Sequence, residues 1–395
     1  MTKDLSYLSY PLPPDIQRLF EAGDFDRMAR VIRQRLEDPR VPKTLHERLR
    51  FQLIIAKEIP EYYRLTQADM LAILQENIND FTEDELETLR DDGTLDWRYI
   101  NGEVHFRNNC LDALLKVRKE YALRAKDPEV QAAADARGQR LNAMITRMKE
   151  EGGMHVRFEL HEEMTVKSDR LTPGETLRIH LPLPVVGAQV KSAALLSTSH
   201  PAAFIAPADE PQRTVYFELP YEPGMTVSAE LAYEIEAPYC QPHAREVLAE
   251  QPTFDTEEMP PHVVFTPYLR ALAKEIVGDE TNPLLKARKI YDFITTQAVY
   301  RYMPPYLTVT NLPEYFMSGL RGDCGVQAIT FITLCRLCGI PAKWQAGLYT
   351  KPDDAGHHDW ARFYIAPYGW LYADCSFGGS AFRVGDLDRW NFYFG

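Results

Sequence analysis

The stretch "LRGDCGVQAITFITLCRLCGIP", residues 320–341, decides the fold of the C-terminal part of this chain. Its apolar residues recur three and four positions apart, which predicts a helix that begins at or near Cys324. Gly339 follows the last helical turn and Pro341 cannot continue a helix, so both mark its end. Cys324 therefore stands at the polar, glycine-flanked start of a helix, a position that does not suit a cysteine used only for packing.

A thiol in this position has the properties of a nucleophile. The unpaired N–H groups and the positive end of the dipole at a helix N-terminus stabilise a thiolate. Gly322 and Gly325 leave backbone room beside Cys324 for the approach of a substrate. The backbone N–H of Cys324 can then donate a hydrogen bond to an oxyanion. The alternative interpretation is a structural thiol at a turn.

A second stretch supplies the acid–base groups that a thiolate nucleophile needs. In "GHHDWARFYIAPYGWLYADCSFGG", residues 356–379, two alternating runs flank Pro367-Tyr368-Gly369, which predicts a β-hairpin. His358 lies opposite Asp374 if the turn centres on residue 366, whereas a centre one or two residues later leaves the pair diagonal or requires a bulge. His357 is a competing base on the opposite strand face, and Asp374 can instead be a turn residue.

The segments "GDCGVQAITFITLCRLCGIPAKWQAG", "HDWARFYI" and "GWLYADCSFG" together resemble the three core motifs of the transglutaminase-like superfamily. The resemblance covers roughly residues 263–395. It implies a papain-like α+β core, in which a helix bearing the cysteine packs on an antiparallel sheet. It also implies that Cys324 is the nucleophile, that His358 is the general base and acid, and that Asp374 orients His358. No metal or organic cofactor is required for such a mechanism.

Two departures from the family pattern bear on the reaction. Protein-crosslinking transglutaminases commonly have Gln before the cysteine and Trp after it, whereas this chain has Asp323 and Gly325. The departures favour hydrolysis of a peptide or other amide substrate over transfer of the acyl group to an amine. A protein-glutamine amine acyltransferase and a non-catalytic binding protein with a transglutaminase-like core are the alternatives.

Three further residues are assigned to a substrate pocket. Trp360 lies on the predicted strand of His358 and suits a pocket wall or the core. Tyr302 precedes the cysteine helix, where similar chains have an aromatic residue. Gly325 directly follows Cys324, so a substrate at the thiol would pass close to it.

The patterns along the rest of the chain predict a multidomain α+β protein. Residues 1–150 are predicted to be mostly helical, with Asn101-Gly102 indicating a hairpin near 96–107. Residues 152–237 alternate with period two between turn signals, which predicts a β-sandwich-like domain. The proline-bearing stretch 238–262 is predicted to be a linker, and residues 263–395 form the predicted catalytic core.

Composition argues against several classes of partner. The chain has 395 residues, a net charge of −13 and no basic cluster interleaved with aromatic residues, so neither nucleic acid nor an anionic membrane is expected as a partner. The N-terminus lacks the apolar core of a signal peptide, so a cytoplasmic location with reduced cysteines is expected. Cys335 and Cys338 form a C-x-x-C without a second pair nearby. We interpret this pair as helix packing and predict no metal site.

Overall fold

The computed structural model describes residues 6–167, 171–351 and 354–395. Its backbone forms two compact units. The first unit comprises Met1–Gln139, Pro242–Gln345 and Asp359–Gly395, and the second comprises Arg140–Gln241 and Ala346–His358. No helix within the described ranges is long and apolar enough to cross a membrane.

Helices dominate the N-terminal part of the chain. They are α1 Pro14–Glu21, α2 Phe25–Glu37, α3 Lys43–Tyr62, α4 Gln67–Asn77, α5 Glu83–Asp91, α6 Cys110–Val117, α7 Lys119–Ala122 and α8 Glu129–Glu151. Helices α1–α3 enclose one hydrophobic core that contains Phe25, Ile32 and Leu49. Helices α4–α7 enclose a second core that contains Leu74 and Leu89. Each helix thus buries the apolar side that its residue spacing creates.

A small antiparallel sheet lies among these helices. Its strands are β1 Leu65–Thr66, β2 Trp97–Ile100 and β3 Glu103–Phe106, in the order β1–β3–β2. Asn101 and Gly102 join β2 to β3, and both have positive φ angles, of 51° and 100°. A two-residue turn of this kind requires that backbone geometry, which Asn and Gly adopt readily.

Antiparallel strands make up most of the second unit. They are β4 Gly153–Thr165, β5 Thr176–Pro182, β6 Val190–Thr198, β7 Phe204–Ile205, β8 Thr214–Pro220 and β9 Thr226–Pro238. One sheet has the order β4–β9–β6 and another the order β5–β8–β7. Leu231 of the first sheet and Phe217 of the second belong to one hydrophobic core, so alternate residues of both sheets are buried together.

The C-terminal part of the chain combines helices with a sheet. Its elements are α9 Pro267–Val277, α10 Pro283–Gln297, β10 Val299–Tyr300, α11 Leu312–Gly319, β11 Arg321–Gly322, α12 Cys324–Leu337, β12 Ala342–Lys351, β13 Asp354–Ile365, β14 Gly369–Ala373, α13 Cys375–Arg383 and α14 Leu387–Phe392. The sheet has the order β12–β13–β14, and β10 pairs with β11 in parallel.

Helix α12 is buried almost throughout, not only along the single apolar face that its periodicity indicates. It packs against α9, α10, α11 and α13. On the sheet side, the ring of Phe331 meets the ring of Phe363 edge-on, with 5.6 Å between their centroids. Thr330, which is fully buried, donates its hydroxyl proton to the Val326 carbonyl at 2.7 Å. Polar side chains can therefore be buried on this helix because its own backbone accepts their protons.

The N-terminal helices and the C-terminal core belong to the same compact unit, whereas the sequence pattern predicts that the N-terminal helices form a separate domain. Arg301 donates to the Gly93 carbonyl at 3.2 Å, and Arg107 donates to the Met303 carbonyl. These bonds join residues from distant parts of the chain, and buried carbonyl groups need such partners. They fix the segment that leads into α12 against the N-terminal helices.

The stretch 238–262, predicted as a linker, packs against the core over much of its length. The Leu248 N–H donates to the Ala366 carbonyl at 3.0 Å, and the Ala366 N–H donates to the Gln251 side chain at 2.9 Å. Arg336 of α12 donates to the Glu257 carbonyl at 2.8 Å. The backbone of this stretch finds hydrogen-bond partners on the core instead of only in water.

Candidate active site

Cys324 is the first residue of α12, and its side chain is partly exposed. Asp323 caps the helix: its carboxylate accepts a hydrogen bond from the Val326 N–H at 3.2 Å. The first N–H groups of a helix have no acceptor within it. The thiol and the N–H of Cys324 therefore lie together at the positive end of a helix of 14 residues.

The cap is held from the other side by Tyr306, a residue that the sequence motifs do not single out. The Tyr306 hydroxyl donates to the carboxylate of Asp323 at 2.5 Å. Burial raises the pKa of Tyr306 far above its usual range, and the charge of Asp323 raises it further. Burial also raises the pKa of Asp323, while the hydrogen bonds from Tyr306 and Val326 oppose that rise. Tyr306 therefore stays the proton donor of the pair.

Neighbouring side chains leave no room for a Cβ at the two glycines near Cys324, Gly322 and Gly325. A Cβ on Gly325 would collide with the Tyr306 hydroxyl and lie 2.9 Å from a carboxylate oxygen of Asp359. A Cβ on Gly322 would collide with Val326 and lie 3.0 Å from Phe316. The room predicted for a substrate at these glycines is thus filled largely by the protein itself, and Gly325 allows Tyr306 and Asp359 to approach.

Asp359 brings a carboxylate to the nucleophile candidate. Its Oδ2 lies 3.8 Å from the Cys324 Sγ, with the thiol as donor. Asp359 stands between His358 and Trp360 in the sequence, and strand alternation gives its side chain the opposite direction to theirs. Asp359, to which the motifs assign no role, therefore contacts Cys324.

Asp374 caps another helix. Its carboxylate accepts from the Phe377 N–H at 2.9 Å and from the Ser376 hydroxyl at 3.2 Å, at the start of α13. The strand pairs of β13 and β14 run from Ile365–Gly369 to Ala361–Ala373. This register centres the turn on residue 367, not on residue 366, so it does not set His358 directly opposite Asp374. Asp374 follows the last strand pair.

His358 belongs to the second unit and Cys324 to the first. The His358 side chain is buried, and its ring meets the ring of Tyr349 edge-on with 5.9 Å between centroids. Trp360 is a partly buried residue of the first unit on the same strand, β13. The grouping of Cys324, His358 and Asp374 as a triad stays a prediction from the motifs.

Tyr302 directs its hydroxyl to the N-terminal helices. The hydroxyl donates to Asp112 at 2.7 Å and accepts from Lys116 at 2.6 Å, and both partners belong to α6. Its ring lies edge-on to Tyr300, with 5.6 Å between centroids. The hydroxyl of Tyr302 is therefore engaged with α6, and the assignment of this residue to the substrate pocket stays a prediction.

The other cysteines differ from Cys324 in their surroundings. All six thiols are free. Burial raises the pKa of Cys335 and of Cys375 well above the usual range and that of Cys110 to about 12. Burial also raises the pKa of Cys338. These four thiols are accordingly poor nucleophiles. Within the described ranges, no group of three or more His, Cys, Asp or Glu side chains is arranged to hold a metal ion.

Comparison with known proteins finds similarity to one family in this region. Residues 270–375 match the profile of the transglutaminase-like superfamily. The matched range contains Cys324, His358 and Asp374. No protein of curated function matches the sequence.

Several solved structures resemble the chain loosely. A protein from Cytophaga hutchinsonii, provisionally described as a cysteine protease, is 19% identical over 56% of this chain and 79% of its own, with a TM-score of 0.41. The periplasmic domain of TgpA from Pseudomonas aeruginosa is 17% identical over 56% of this chain and 74% of its own, with a TM-score of 0.31. At these scores the structural likeness supports no conclusion, so the similarity to the superfamily rests on the profile match and the motifs.

Proposed function

We propose, on the premise that residues 270–375 carry a transglutaminase-like core, that the protein is a cysteine-dependent hydrolase of amide bonds in a peptide or related substrate. The observation that carries the proposal is the position of Cys324. Cys324 is the first residue of a buried helix that Asp323 caps, and its thiol is partly exposed. A thiol at the positive end of a helix suits nucleophilic attack on a carbonyl carbon.

The proposed reaction proceeds through a thioester. The Cys324 thiolate attacks the amide carbonyl while His358 holds the proton, and the Cys324 N–H donates to the oxyanion. His358 then protonates the leaving amine, and the C–N bond breaks. Water, deprotonated by His358, attacks the thioester; the acid leaves and the Cys324 thiolate is restored. In this scheme Asp374 orients His358.

Acyl transfer is the competing reaction, because an amine in place of water would convert the same thioester into a new amide. The surroundings of Gly325 favour hydrolysis. Tyr306 and Asp359 fill the space where a side chain at position 325 would lie. No room is therefore left at position 325 for the tryptophan that crosslinking enzymes commonly carry after the cysteine.

The first test is alkylation of Cys324 by iodoacetamide as a function of pH, followed by peptide mass spectrometry. We expect fast labelling well below about pH 8.5, the ordinary thiol range, and slower labelling in His358→Ala. Cys335 and Cys375, both buried, serve as internal controls that should stay unlabelled in the folded protein. An ordinary thiol profile in both proteins would contradict the nucleophile assignment.

The second test separates hydrolysis from transfer and from a purely binding role. Turnover of a peptide library, read by mass spectrometry, should disappear in Cys324→Ala. A labelled primary amine added at millimolar concentration should not be incorporated into glutamine-bearing acceptors. Efficient incorporation would favour the acyltransferase. Peptide binding without turnover, together with an ordinary thiol profile, would favour the binding protein.

We infer a cytoplasmic location, because the six cysteines are free thiols and reduced thiols are typical of that compartment. Cell fractionation with cytoplasmic and envelope marker proteins tests this inference. Recovery of the protein in the envelope fractions would contradict it.

A further inference from the structure

The first unit contains a cleft of about 920 Å³ that Cys324 does not line. One wall is the β2 strand with its neighbours, and the opposite wall is the segment from Pro304 to Ser318. The volume falls within the range of small-molecule and peptide-binding sites. Aromatic side chains make up much of the lining: Phe20, Tyr63, Trp97, Tyr99, Tyr268 and Tyr315.

One positive charge in this cleft, that of Arg98, is only partly compensated by its neighbours. The Arg98 guanidinium carbon lies 5.5 Å from the centre of the Phe20 ring, 5.1 Å from that of Phe25 and 5.8 Å from that of Tyr63. Within the described part of the chain, its Nε–H is buried and has no acceptor. Burial also lowers the pKa of Arg98. Removing a charge from water is costly unless an opposite charge or an acceptor compensates it.

The carboxylate nearest in sequence, Asp96, supplies only part of this compensation, because its charge raises the pKa of Arg98 by less than burial lowers it. It lies 3.9 Å from Arg107 and 3.8 Å from Arg301, and it accepts the Tyr63 hydroxyl at 2.8 Å. Asp96 is therefore shared between two other guanidinium groups and a tyrosine. Asp96 thus interacts with three arginines, of which Arg98 lines the cleft, and one carboxylate among three guanidinium groups leaves an excess of positive charge.

Two further carboxylates in the lining make the cleft mixed in charge. Glu21 belongs to α1 and Glu314 to α11. The Glu21 carboxylate accepts from Gln17 at 2.8 Å. The cleft as a whole therefore does not attract anions without discrimination. Arg98 is the one Lys or Arg among the described residues that line it, so its guanidinium is the group that suits a single negative charge.

We propose that this cleft binds a ligand with one carboxylate and an aromatic or apolar body. The carboxylate lies on the Arg98 guanidinium, and the body packs against the surrounding rings. A guanidinium and a carboxylate form paired, charge-assisted hydrogen bonds, which a neutral amide of the same shape cannot reproduce. The carboxylate can belong to the C-terminus of a peptide, to an acidic side chain or to a small free acid. This site is separate from the proposed reaction at Cys324.

The test compares two probes of equal shape by isothermal titration calorimetry on the full chain. N-acetylphenylalanine carries the carboxylate, and N-acetylphenylalaninamide replaces it with a neutral amide. We expect the acid to bind at least about tenfold more tightly than the amide. Equal affinities, or no saturable binding of the acid up to about 10 mM, would overturn the proposal.

Variants locate the binding site. Arg98→Met keeps an apolar stem and should weaken acid binding by about tenfold or more, while Arg98→Lys should recover part of the loss. Arg64→Met is the matched control, since Arg64 is exposed and pairs with Glu61. Unchanged acid binding in Arg98→Met would overturn the proposal. If that variant does not fold, the comparison of acid with amide in the wild-type protein still tests whether the protein recognises the carboxylate.

Two further arms separate this site from the proposed active site and identify the source of the carboxylate. Cys324→Ala should bind N-acetylphenylalanine as the wild type does, whatever its effect on turnover. A tenfold loss there would place the ligand at Cys324 and overturn the proposal. A peptide with a free C-terminus is compared with an amidated peptide that carries one aspartate, and the tighter of the two identifies the source.

Discussion

Tyr306 donates a hydrogen bond of 2.5 Å to the carboxylate of Asp323, the residue that caps the helix of Cys324. The same hydroxyl occupies the space in which a side chain at position 325 would lie. Tyr306, the first residue of a short 3-10 helix, thus supports the helix cap and also requires glycine at position 325. The geometry around the candidate nucleophile depends on this contact.

Tyr306→Phe should destabilise the protein and slow alkylation of Cys324. The substitution removes a donor from a largely buried carboxylate, and the loss of such a bond costs about 1–3 kcal/mol. The free energy of unfolding in urea and the alkylation rate at pH 7 measure the two effects. Tyr302→Phe is the matched control. Its hydroxyl bonds to the exposed Asp112–Lys116 pair, so the expected loss is below about 1 kcal/mol. Equal losses in the two variants would argue against a special role for Tyr306.

Gly325→Ala should cost about 1–3 kcal/mol of stability, because its Cβ would collide with Tyr306 and crowd Asp359. Gly319→Ala is a matched glycine control at the end of α11, where a Cβ would meet nothing within 4 Å. That control should be neutral or should gain up to about 1 kcal/mol from its better helix propensity. Thermal unfolding of both variants measures the difference. A Gly325→Ala protein as stable as Gly319→Ala would show that Tyr306 moves aside at little cost.

Two substitutions at Asp374 separate its cap from its proposed role in orienting His358. Asparagine caps helices as well as aspartate does, so Asp374→Asn should keep the stability within about 0.5 kcal/mol of the wild type. Asp374→Ala loses the bond to Phe377 and should cost about 1 kcal/mol. Amide turnover should fall by about 100-fold or more in both variants, because neither retains the carboxylate. Wild-type turnover in Asp374→Asn would leave only the helix cap as the function of Asp374.

Glu162 should make stability depend on pH. Burial raises the pKa of this β4 residue to about 7, and within the described part of the chain its Oε2 is buried without a hydrogen-bond partner. The folded state therefore binds the proton more tightly than the unfolded state, so stability falls as the pH rises from about 4.5 to about 7 and then levels off. Glu162→Gln should reduce the loss of unfolding free energy between pH 5 and pH 8 by about 1 kcal/mol. This value is discounted because the side chain is partly exposed.

Urea unfolding at the two pH values measures this change. Glu163→Gln is the matched control on the opposite strand face, since its side chain is 54% exposed. A pH dependence that is the same in Glu162→Gln and in the wild type would show that Glu162 does not carry it.

Local signals in the sequence account for several elements. The hairpin at Asn101-Gly102 forms because these two residues adopt positive φ angles readily. The hairpin of β13 and β14 also lies where the alternating runs predict it. Its register was open, because a shift of one residue changes which side chains face each other, and alternation alone does not fix it. The strand pairs centre the turn on residue 367, and Asp374 follows the last of them as the cap of α13.

The sequence by itself determined that a helix starts at or near Cys324, because a 3.6-residue period and a closing glycine and proline act within one segment. It also determined the family motifs that identify Cys324, His358 and Asp374 as candidates. Only the tertiary structure decided that Asp359 contacts the thiol, that Tyr306 bonds to the helix cap, and that the N-terminal helices hold the preceding segment. These contacts join residues far apart in the chain, so they depend on how the elements pack and not on the preference of any one segment.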